Sequence, residues 1–157
     1  MDVNILNQFI LAASSVFEQV ANLKLKKEKV NIFEHGTKVI ADVATLIGIT
    51  GKVKGQMVVT LTSNTAMKFA SAIMMGEPVN EYNELAESGV CEMANMIGGD
   101  AAQRLNALGY TVDVAVPSII RGNAVEISFQ PNTPIFMVAF SSEWGPIEVV
   151  LRIEVMP

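Results

Sequence analysis

Ser88, Glu92 and Asn95 are the residues of this chain whose types and spacing most suggest chemistry. They are spaced four and then three apart. At ~100° per residue in an α-helix, that spacing puts them side by side on one face. Glu84, Gly99, Gln103 and Asn106 share the arc, while Ala86, Val90, Met93, Ala94, Ile97, Ala101 and Leu108 fall on the opposite one. A carboxylate beside a carboxamide offers a docked partner an anionic acceptor and, next to it, a group that both donates and accepts. Any surface helix also has a solvated polar face, and spacing alone leaves both readings open.

Other catalytic apparatus is missing from the sequence. There is no Gly-rich phosphate loop ending in Lys-Ser/Thr, no dinucleotide fingerprint and no Gly-x-Ser-x-Gly elbow. Cys91 lacks the arginine six residues on that a cysteine-phosphatase cradle needs, since Ile97 stands there. It reads as a small helix residue at a packed or partly packed position. His35, in Phe33-Glu34-His35-Gly36, reads as a turn residue without partners rather than a general base. One histidine and one cysteine are too few for a zinc site or a disulfide framework, so no metal is expected. The nine methionines read as core fillers, with Met74, Met75, Met93 and Met96 able to serve as adaptable surface.

The elements that must position these residues are legible in outline. The chain has 157 residues, half of them apolar and 17% charged, which suits one folded domain over 1–157 and excludes intrinsic disorder. Eleven Lys+Arg against sixteen Asp+Glu, a net charge of −5, leaves no basic field for phosphates and argues against a nucleic-acid binder. The stretch Ile5–Val20 is too short and too polar to span a membrane. Its apolar residues, Ile5, Phe9, Ala12, Ala13, Val16, Phe17 and Val20, instead form the buried stripe of an amphipathic helix. Met1-Asp2-Val3-Asn4 lacks the cationic start of a secretory signal, which points to the cytoplasm.

A lysine-rich loop is expected over Lys24–Lys29, then strands over Val30–Phe33, Lys38–Thr50 and Gln56–Thr62. Ser63 is the expected N-cap of a helix over Asn64–Met75, which Gly76 and Pro78 close. A longer helix is expected over Asn83–Leu108, stopped by Gly109, with a bend or close contact at Gly98-Gly99. Strands follow over Thr111–Val116, Ala124–Gln130, Ile135–Phe140 and Ile147–Val155. Turns are expected at Arg121-Gly122-Asn123, Pro131–Pro134 and Trp144-Gly145-Pro146. Val125, Ile127 and Phe129 alternate with Glu126, Ser128 and Gln130, predicting an antiparallel sheet with one polar face. The class is α+β, with an order (helix, strands, two helices, strands) like that of a degenerate duplication.

Ser88-x3-Glu92-x2-Asn95, followed one helix end and one strand later by Pro117, resembles the signature of the CheC/CheX/FliY chemotaxis phosphatases. All four positions of that pattern match. The resemblance implies a CheC-like fold: a mainly antiparallel sheet packed by long helices. It implies dephosphorylation of a phosphorylated CheY-type response regulator, with Asn95 orienting the attacking water and Glu92 anchoring the regulator through a lysine. Ser88 would be a spacer or rim contact, and Pro117 would shape the backbone beside the helix. No cofactor of its own is implied, since the regulator supplies Mg²⁺. An acyl phosphate is already reactive, so such an enzyme need supply only positioning, which explains the missing apparatus.

Some members of that family carry a second such motif. Ser14-x3-Glu18 begins one here, but Ala21 stands where the asparagine belongs, Asn22 is one residue late, and no proline precedes Pro78. One intact site is similar to the CheX branch, whose members are homodimers paired through sheet edges. Two rivals remain at this stage. One is a non-catalytic binding module for a regulator or a flagellar or signalling partner. The other is a small-molecule-binding or structural domain, which a deep methionine-lined pocket and a buried Glu92 face would favour.

Overall fold

The computed structural model describes residues 2–129 and 133–157. Helix α1, Val3–Ala21, begins where the Asp2 side chain accepts from the Asn4 N–H at 2.8 Å. It buries Ile5, Phe9, Ala12, Ala13, Val16 and Phe17, the stripe its sequence predicts, while Val20 packs half-buried at the margin. Strands β1 (Lys26–Phe33), β2 (Lys38–Gly51) and β3 (Val53–Leu61) follow. Then come α2 (Ser63–Ile73), α3 (Glu84–Ala107) and strands β4 (Val112–Val114), β5 (Ser118–Ser128), β6 (Ile135–Ser141) and β7 (Ile147–Val155).

The strands form one sheet in the order β1-β6-β7-β3-β2-β4, and β5 shares the outer edge of β2 with β4. Every pairing among the described residues is antiparallel. The three helices cover one face. Met57, Val59 and Leu61 of β3 and Ile147, Val149, Leu151 and Ile153 of β7 point into that helical core. The intervening Val58 and Val150 point the other way, into a second cluster with Val39, Ala44, Phe129, Ile135 and Met137. Central strands buried on both faces read as unbroken apolar runs. The expected polar face holds for the outside of β5, where Glu126 and Ser128 are exposed, but not for the central strands.

Several boundaries differ from the sequence reading. Lys26–Lys29 belong to β1 rather than to a loop, because Lys26, Lys27 and Lys29 pair with β6 while their side chains stay exposed. Arg121-Gly122-Asn123 makes no turn. It lies inside β5, where the register against β2 slips between Ala41/Val125 and Val43/Arg121, and Ala124 takes φ 56°. Thr62, not Ser63, caps α2, its hydroxyl accepting from the Thr65 N–H at 3.1 Å. The strand expected over Thr111–Val116 is confined to Val112–Val114. The expected strand end at Gln130 and the first half of the turn Pro131–Pro134 lie outside the described residues.

Candidate functional site

Helix α3 sets the site. The Asn83 side chain caps it by accepting from the Leu85 and Ala86 N–H groups at 3.0 and 3.2 Å. It runs unbroken through Gly98-Gly99, where the expected close contact forms at Gly98. Two of its glycines lie where neighbouring elements press closest. A Cβ on Gly89 would sit 2.5 Å from the Ala70 Cβ of α2, and one on Gly98 would sit 2.8 Å from Val114 Cγ1 of β4. Gly99 faces open space. Leu105 takes the buried position expected of Leu108, which caps the helix end and lies exposed.

Ser88, Glu92 and Asn95 all come to the outer face and are exposed, as their spacing predicts. Glu92 lies three residues beyond Gly89, and Asn95 three before Gly98. Each is thus turned by about 60° from the direction of the glycine it adjoins. Glu92 leans toward α2 and Asn95 toward the β4–β5 flank. Pro117 is on that flank, half-buried in the short link between β4 and β5, with exposed Val116 before it. Its ring fixes its own φ and keeps Val116 extended, so it shapes backbone rather than offering a reactive group.

The other polar side chains of α3 divide by what they already hold. Asn106, on the same arc as Asn95, accepts from the Val112 N–H at 3.1 Å and fastens the helix end to β4. Arg104 pairs with Asp100 at 2.8 Å. Glu87 accepts from the Tyr82 hydroxyl at 2.8 Å, and the Arg121 guanidinium lies 4.3 Å from the centre of the Tyr82 ring. Burial, and then the Glu87 hydrogen bond, push the Tyr82 phenol above its ordinary range. Among the described residues, no intrachain side-chain bond engages Ser88, Glu92 or Asn95, though Glu84 and Gln103 are equally free. Availability alone does not single out the three.

The incomplete N-terminal motif is absorbed by a helix end. Asn22 is the C-cap of α1 at φ 51°; its N–H donates to the Glu18 carbonyl, and the Leu23 N–H donates to that of Phe17. His35 is exposed in the β1–β2 turn, and Cys91 is a half-buried free thiol on α3. Among the described residues, no group of three or more His, Cys, Asp or Glu is placed to hold a metal ion. No helix of the described residues is long and apolar enough to cross a membrane.

The sequence reading missed a groove of about 380 Å³ between α2 and α3. Gly89 and Ala70 floor it, Ile73, Met74 and Leu85 wall it, and Ser88 and Glu92 form its rim. The sequence held one signal for it, the pairing of two methionines at the end of α2 with a leucine in the first turn of α3. Glu92 is not buried, so the observation that would favour a small-molecule pocket behind it is lacking.

An open antiparallel sheet with three helices on one face and a motif-bearing helix among them is a CheC-like architecture. It superimposes on the crystal structure of a CheC-like superfamily protein from Shewanella sp. PV-4, with TM-score 0.88, 27% identity, and coverage of 98% of this chain and 99% of that one. A chemotaxis protein CheX from Vibrio vulnificus gives TM-score 0.85 at 29% identity, over 96% and 99% of the two chains. The "CheY-P phosphatase CheX" of Thermotoga maritima is 33% identical over 144 residues, covering 91% of this chain and 92% of that protein. The family described as chemotaxis phosphatase CheX matches residues 43–141. The chain belongs to the CheX family of chemotaxis phosphatases, and so to a family of hydrolases.

Proposed function

We propose that this chain is a cytoplasmic phosphatase that hydrolyses the aspartyl phosphate of a CheY-type response regulator in chemotaxis. The observation that carries this reading is the Ser88-x3-Glu92-x2-Asn95 motif, brought to one exposed face of a helix that packs closely on α2 at Gly89 and on β4 at Gly98. The activity named for the Thermotoga maritima relative supports it.

In the proposed step, Asn95 enters the regulator's site and holds a water through its amide, accepting from the water and donating toward the phosphoryl oxygens. The water oxygen bonds to phosphorus as the bond to the aspartyl oxygen breaks. The carboxylate leaves with the electron pair, and phosphate departs with the water's oxygen. Mg²⁺ belongs to the regulator, as part of the substrate. A neutral amide suits the task because it adds no charge beside an anion. Glu92 pairs with a lysine of the regulator, Ser88 lies at the rim, and Pro117 shapes the flank. We further place a homodimer at an open sheet edge. The exposed Val30 and Ile32 on edge strand β1 support this, and sedimentation tests it.

The test is the decay of phosphate on a purified CheY-type regulator with Mg²⁺, with wild type or Asn95→Ala added. Decay that wild type accelerates and the variant does not is the expected result. Binding without acceleration would make the protein a non-catalytic regulator-binding module.

A further inference from the structure

We propose that the α2–α3 groove receives an apolar side chain from a basic patch on the phosphorylated regulator, making Leu85 and Met74 specificity-determining contacts. The proposal rests on the phosphatase reading above.

The groove is continuous with the motif, since Ser88 and Glu92 form its rim. A regulator seated on Glu92 and Asn95 therefore covers the groove as well. The walls are apolar and accessible, with Leu85 52% exposed although it lies in the first turn of α3. A large side chain left half in water beside a docking face contributes most when a partner desolvates it. Met74 suits such a wall because an unbranched thioether repacks around different shapes.

Charge decides which regulator surface fits. The link from α2 to α3 carries exposed Glu77 and Glu81, and exposed Glu84 shares the arc of Ser88 and Glu92, while Glu87 is turned away from it toward Tyr82. Among the described residues, no lysine or arginine lines the groove; the one lysine of α2, Lys68, lies over the Trp144 ring, and Arg121 lies over Tyr82. An apolar slot with an acidic border selects an apolar side chain flanked by lysine or arginine. The acidic border also steers encounter toward a basic surface of the regulator.

Steady-state kinetics on phosphorylated regulator test the groove separately from the chemistry. Leu85→Ala and Met74→Ala should each raise KM by about five- to tenfold, with kcat within twofold and unchanged thermal melting. Leu85→Met should restore most of the loss, and added salt should raise the wild-type KM. Asn95→Ala should lower kcat and spare KM. If Asn95→Ala abolishes turnover while both groove variants keep KM within twofold, the groove proposal is overturned and the phosphatase reading stands. If wild type gives no turnover, methionine-methyl NMR with added regulator decides: a shifted Met74 signal upholds the groove contact, and an unmoved one overturns it. If the groove variants keep wild-type KM but sediment as a smaller species, the face belongs to a second copy of the chain and the proposal falls.

Discussion

Gly89 of α3 lies so close to Ala70 of α2 that a methyl on Gly89 would come 2.5 Å from the Ala70 Cβ. The crossing sets the floor of the α2–α3 groove and the tilt at which α3 presents Glu92. Gly89→Ala should destabilise by up to about 2 kcal/mol, because the new methyl also meets the Ala70 backbone and overpacking of about 1–3 kcal/mol is offset by only ~1 kcal/mol of helix propensity. Gly99→Ala meets nothing within 4 Å and should stabilise by about 0.5–1 kcal/mol. Urea denaturation of both variants checks the opposite signs.

Asn95 and Asn106 share one helical arc but differ in what they hold. Asn95→Ala should leave stability unchanged and lower phosphatase kcat by about 10²-fold, on the order of 3 kcal/mol of transition-state positioning. Asn106→Ala should do the reverse. It loses the bond from the Val112 N–H and about 1 kcal/mol of stability, while the remaining folded protein keeps its kcat. Thermal melts beside phosphate-release assays separate the two.

Glu92→Gln should act on recognition. KM for the phosphorylated regulator should rise several-fold with kcat nearly kept, and much of the salt dependence of binding should vanish with the charge. Titration calorimetry at two ionic strengths reads this directly. An unchanged salt slope would move the anchoring charge elsewhere on the acidic entrance.

Tyr82 predicts an alkaline limb in stability. Burial and the Glu87 hydrogen bond raise its folded pKa above the ordinary value of about 10. The folded state thus holds the phenolic proton more tightly than the unfolded state. The contribution is fully present below pH ~10 and is lost as pH climbs from there toward the folded value. Tyr82→Phe should flatten the decline above pH ~10, at a cost of no more than about 1 kcal/mol near neutrality. Denaturation midpoints measured from pH 8 to 11 test this.

The sequence by itself determined the outward face of α3 and the buried stripe of α1. Helical period places Ser88, Glu92 and Asn95 together whatever surrounds them, and it rotates Asn22 away from any second motif. It also determined the α+β order, because turn residues and apolar runs are local signals. Elements defined by partners were misread. The Arg121–Asn123 segment carries turn chemistry, yet pairing along β2 keeps it in a strand with a slipped register. Lys26–Lys29 look like loop residues, yet the open hydrogen-bonding edge of β6 recruits them as a strand. Only the tertiary structure decided that Asn106 is occupied and Asn95 free, that Gly89 and Gly98 are contact points where Gly99 is not, and that a groove opens beside Glu92. Each of these depends on which distant backbone arrives beside a given side chain, and long-range packing sets that.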